Sequence, residues 1–170
     1  MFYVRCLLLR STFAATAPRS AVAELGVVRR LCTRPVKVVL KASQVILGYV
    51  EASEARTDPA MGCGEATFHP TDSYSAVEDL FRRKTLSSGI LGPRDETKLE
   101  AVAVALSAFQ LALETEDGQS LAVVGFTVSD YRLELPDEPL TFEFWGMQHE
   151  QFGYVFPGAY EAYEAAHKNA

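Results

Sequence analysis

The sequence has no apolar run long enough to cross a bilayer; stretches such as Val45–Leu47 fall far short of the roughly 20 residues a spanning helix needs. Cysteine is equally scarce. Cys6 and Cys32 lie in the first 44 residues, which leaves Cys63 as the single thiol of the remainder and excludes a disulfide framework. That usage suits a reducing compartment, or one in which disulfides are not employed. His69, His149 and His167 are far apart, and no Cys-x-x-Cys or His-x-x-x-His pair occurs, so no motif announces a metal site and no cofactor is expected. There is no Gly-x-Ser-x-Gly elbow for a nucleophile. Gly62-x-Gly64 lacks the third glycine of a phosphate-cradling loop. Internal repeats and low-complexity tracts are absent as well.

One further scarcity is local. Residues 1–44 contain one acid, Glu24, against eight Lys and Arg, whereas residues 45–170 contain 21 acids against eight. The balance of +7 followed by −13 is concealed in the net charge of −6. The two parts therefore obey different rules. The first 44 residues, with Arg5, Arg10, Arg19, Arg29, Arg30 and Arg34 among Ala, Ser, Thr and Leu, have the composition of organellar transit peptides. Arg30-Leu31-Cys32-Thr33 resembles the processing site of a mitochondrial presequence. Two other readings stand beside this one: a misassigned start with Met61 as the first residue, and a basic arm that folds against the acidic body. The corresponding locations are the mitochondrial matrix for a cleaved presequence and the cytoplasm for a start at Met61.

The acidic remainder repels nucleic acid phosphates and attracts basic partners. Val45–Val50 has the character of a short strand, but the polar run 51–60 ends in Asp58-Pro59, a linker signal. These features place a linker at 45–60 and an acidic domain at 61–170. Glu65–Phe68 reads as a strand. Tyr74, Val77, Leu80 and Phe81 recur at helical spacing behind Thr71 and Asp72, which can cap the first amides. Asp95–Leu106 opens as a helix, although Val102, Val104 and Leu106 also fit strand alternation.

The pattern then becomes extended. Phe109–Leu113 alternates, Asp117-Gly118 supplies a hairpin signal, and Leu121–Val128 returns. Tyr131, Leu133 and Leu135 alternate with Arg132 and Glu134 before Pro136–Pro139 breaks the ladder; Leu140, Phe142 and Phe144 alternate again. Two short helices follow, over 148–155 and 159–167. Together these features predict an α+β fold: an antiparallel β-meander sheet with helices packed on one face.

Function is read from the same residues. Trp145 shares the polar phase of its strand with Thr141 and Glu143, so it is expected to be exposed. An exposed Trp145 among Glu143, Glu134 and Asp137 defines a candidate surface for a basic protein partner, with no enzymatic activity. An imported mitochondrial accessory subunit is the alternative. A third possibility is a small enzyme in which Asp130 works with His69 or His149.

Overall fold

The computed structural model describes residues 36–167; expectations about residues 1–35, the presequence-like segment included, lie outside them. The first element is a hairpin. β1 (Lys37–Ala42) and β2 (Val45–Glu51) pair antiparallel through a turn in which Ser43 takes a left-handed φ of 53°. Leu40 faces Gly48 while Lys41 faces Ile46, so Leu47 is an extra residue on β2, a β-bulge, and its side chain is buried. Cross-strand pairs Lys37–Glu51 and, on the next strand, Lys41–Glu114 flank the ladder.

After a 3₁₀ turn at Ala52–Glu54, β3 (Arg56–Asp58) pairs with β4 (Cys63–Thr67) in a second sheet. The chain then changes sheets. Phe68 donates its amide to the Leu140 carbonyl at 2.8 Å in the second sheet, and β5 (His69–Pro70) pairs with Tyr49 and Gly48 of β2 in the first. Gly48 is required here, because a Cβ on it would lie 2.3 Å from the buried Phe68 ring. A second change of sheet follows β6 (Leu111–Thr115). Its turn at Asp117-Gly118 returns only as far as Leu121, whose amide donates to Leu113, before the chain joins the second sheet as β7 (Gly125–Ser129). β8 (Thr141–Trp145) lies between β4 and β7. The orders are β5-β2-β1-β6 and β3-β4-β8-β7, with every pairing antiparallel.

Four α-helices complete the described residues: α1 (Glu78–Ser87), α2 (Glu96–Ser107), α3 (His149–Val155) and α4 (Pro157–His167). The fold is thus α+β with antiparallel sheets and helices, but its strands form two sheets that share a core instead of one meander. Val38, Leu40, Leu47 and Val50 of the first sheet meet Phe142, Phe144 and Val128 of the second. Tyr74, Val77 and Phe81 enter from the α1 side, and Phe152 and Phe156 pack on Phe144 from the carboxyl end. Asp95 caps α2 by accepting from the Lys98 amide at 3.1 Å, and the Val102–Leu106 stretch that also fits a strand is helical.

Three expectations need correction. The boundary at Met61 does not divide the fold: residues 37–44 and the stretch 45–60 supply β1, β2 and β3, because Val38–Leu40 and Leu47–Val50 are long enough to pair and apolar enough to be buried. Thr71 does not cap a helix. Its hydroxyl donates to the Ile46 and Leu47 carbonyls, and a 3₁₀ turn at Asp72–Ala76 precedes α1, whose start is set by Val77 at φ −122°. Tyr131–Leu135 is not a strand, because Pro136 and Pro139 prevent a ladder and the segment closes into turns instead.

Candidate functional site

The β7–β8 connection, residues 130–140, is built from the inside outward. Its first residue, Asp130, is 2% exposed. The Asp130 amide donates to Thr85 Oγ1 of α1 at 3.1 Å, while Thr85 itself donates to the Phe81 carbonyl. The Asp130 carboxylate accepts from the Arg132 amide at 3.2 Å, from Nε at 3.0 Å and from Nη2 at 2.9 Å. Arg132 also reaches Glu78 at the start of α1. These hydrogen bonds from Arg132 hold the Asp130 carboxyl below the usual carboxylate range, against the opposing effect of burial, and Asp130 and Glu78 raise the Arg132 guanidinium in turn. Tyr74 Oη lies in the same cluster, buried with no hydrogen-bond partner among the described residues. Its phenol is raised by burial and then by the Asp130 charge.

Beyond this clamp the chain turns tightly. The Tyr131 carbonyl accepts from the Glu134 and Leu135 amides, and Glu134 pairs with Arg82 of α1. Two ion pairs to α1 and the backbone turns leave little freedom in the connection. Its outer side chains are nevertheless placed in solvent: Leu133 is 75% exposed and Leu135 43%, with Asp137 and Glu138 beside them. An open groove of about 980 Å³ runs from Glu134 to the α1–α2 turn, where Leu86 and Leu91 line it. Its cations are neutralised locally, Arg83 by Asp79, Arg94 by Glu96 and Lys98 by Asp95.

The four residues expected to form a binding surface are not brought together. Glu134 and Asp137 belong to the connection at the Ser129–Thr141 end of the β7–β8 pair. Trp145 lies at the other end, four residues or roughly 13 Å along β8. It does occupy the polar phase with Thr141 and Glu143, but its ring lies over Gly125 of β7, where a Cβ would come within 2.4 Å of it. Trp145 is therefore half-buried and covers a glycine, a known device for filling the gap such a residue leaves in a sheet. Gly125 is this floor, paired in regular register with Trp145. Glu143 accepts from Ser129 Oγ at 2.7 Å and faces Glu65 across the β4–β8 pair.

Asp130 does not meet a histidine. Its partners are Arg132 and Thr85, whereas His69 stacks on Tyr49 at 5.1 Å and approaches Glu54, and His149 packs edge-on against Tyr160 and Tyr163. No group of His, Cys, Asp and Glu among the described residues could hold a metal ion. No helix among them is long and apolar enough to cross a membrane. What sequence reasoning missed was the exposure of Leu133 and Leu135. The signal was present in Leu-Glu-Leu-Pro-Asp-Glu-Pro, where apolar residues alternate with acids immediately before two prolines. Comparison with protein-family models, with curated proteins and with solved structures finds no match to this chain.

Proposed function

We propose that the protein is a non-enzymatic interaction domain whose β7–β8 connection docks a basic, partly apolar segment of a partner protein. The observation that carries this reading is the exposure of Leu133 and Leu135 beside Asp137 and Glu138, in a connection tied down by the Asp130–Arg132–Glu78 and Arg82–Glu134 pairs. A tethered connection has little conformational entropy left to lose on binding. The leucines supply desolvation energy, and the acids supply steering and selection for a cation-bearing partner. The surrounding charge favours the same partner. Among the described residues every lysine and arginine except Lys84 is paired with an acid, so Asp137 and Glu138 have no internal cation to neutralise them. Asp130, ionised and fully engaged by Arg132, acts as the anchor of this surface and is a poor proton acceptor.

The test is crosslinked capture with the full chain, comparing Leu133→Ser/Leu135→Ser and Asp137→Lys/Glu138→Lys with the control Glu100→Lys/Glu116→Lys. The control makes the same change in charge away from the connection. A basic protein retained by wild type and control but lost from both connection variants, by about tenfold or more, is the expected result. Equal retention by the charge-reversed connection and the control would overturn the reading.

A further inference from the structure

A second, independent feature lies where α1 and α2 bridge from β6, at the edge of the first sheet, to β7, at the edge of the second. A recess of about 360 Å³ opens there, with Phe81, Leu106, Leu111 and Phe126 as its apolar walls. Lys84 lines it, half-buried, and is the one lysine or arginine among the described residues with no ion pair. Gln110 stands at the rim with a left-handed φ of 49°. Its carbonyl Oε1 accepts from Ser43 Oγ, while its side-chain amide donates to no described residue.

We propose that this recess binds a small apolar monocarboxylic acid, the hydrocarbon part lying against Phe81, Leu106, Leu111 and Phe126 and the carboxylate meeting Lys84 Nζ, with the Gln110 amide as a second donor. A cation held against apolar walls loses hydration, and an incoming anion returns what burial removed. The state of Lys84 agrees: burial pushes its ammonium below the usual lysine range, and Glu143 restores this in part without forming an ion pair. One cation and one amide match a carboxylate, which has two oxygens and one charge. Glu143 opposes any anion here, a phosphate dianion about twice as strongly as a single carboxylate charge, and a phosphate would also need further donors. An uncharged hydrocarbon would leave the ammonium with only the partial compensation that Glu143 gives it. The recess is a shallow depression open to solvent, and its volume falls at the low end of the sizes that small-molecule sites occupy.

The experiment titrates the full chain with octanoate and, separately, with 1-octanol, following binding by calorimetry and mapping it by amide chemical shifts. Octanoate is expected to bind about tenfold or more tightly than octanol, the difference one charge-assisted contact supplies. Shifts are expected at Leu106, Leu111 and Phe126. In Lys84→Met, which keeps the stem and removes the charge, the preference for octanoate should fall to near unity while octanol affinity is unchanged. Lys84→Gln provides the same test if the methionine variant is unstable. Octanoate binding no tighter than octanol, a preference that survives the loss of Lys84, shifts confined to the Leu133–Leu135 connection, or binding of neither ligand would each overturn the proposal.

Discussion

Replacing Asp130 with asparagine keeps the shape of the side chain and removes its charge. In the wild type this carboxylate takes two bonds from the Arg132 side chain and one from its backbone, at 2.9–3.2 Å, in a site 2% exposed. Deleting one member of a fully buried pair costs about 3–5 kcal/mol. Here Arg132 is 38% exposed and retains Glu78, so the loss is closer to that of a single charge-assisted bond, about 2 kcal/mol. For a chain of this length that corresponds to a fall in Tm of about 4–8 °C. The pH dependence is the sharper test. The folded Asp130 carboxyl lies below its unfolded value of about 3.9, so its contribution is complete above that value and is lost as pH falls through the folded pKa. Urea titrations of both proteins should therefore show a gap of about 2 kcal/mol at pH 7 that narrows below about pH 4. Asp95 and Asp117, also lowered, by Lys98 and by Thr115 and Tyr154 respectively, are present in both proteins and cancel. A gap of the same size at pH 7 and at pH 3, or none at pH 7, would refute the anchoring role. Because Arg132 holds the connection, Asp130→Asn should also weaken partner capture without any change at Leu133 or Leu135.

Two further outcomes are expected. A chain beginning at Met61 loses β1, β2 and β3 together with Val38, Leu40, Leu47 and Val50, worth about 6–12 kcal/mol of burial, and should show no cooperative unfolding by circular dichroism. A cut in the Arg30–Thr33 stretch removes none of these elements, so peptide mapping of the endogenous terminus separates an imported subunit from a start at Met61; a folded product of the shorter chain would contradict the assignment of the first sheet. Gly125→Ala places a methyl group against the ring of Trp145, the only tryptophan, and should cost about 1–3 kcal/mol with a red shift of fluorescence as the ring lifts into water. An unshifted spectrum would mean that the ring does not rest on this glycine.

Much of the architecture was legible in the order of residues, because burial on one face imposes a period that a linear pattern records. Leu140, Phe142 and Phe144 specify β8, Phe152 and Val155 specify α3, and Tyr74, Val77 and Phe81 specify the apolar stripe leading into α1. The α+β class and the antiparallel pairing follow from the same patterns. Lys37–Ala42 was hidden for a different reason: its neighbours upstream share its basic composition, and only pairing with β2 and β6 distinguishes a strand from a leader.

Local pattern also fails where a choice is made across the fold. Leu133 and Leu135 alternate like strand residues, yet the prolines deny them a ladder and the Asp130–Arg132–Glu78 clamp holds them outward. Trp145 has the phase of an exposed residue, and only the register that sets it opposite Gly125 gives its ring a place to lie. Asp130 is two residues from its arginine partner in sequence, but its burial depends on Thr85 some 45 residues away. By itself, then, the sequence determined the charge division, the elements whose apolar faces repeat and the class of fold. The tertiary structure decided the two-sheet arrangement, the burial of Asp130 and the partners of each charge, because those depend on contacts between residues that no local period relates.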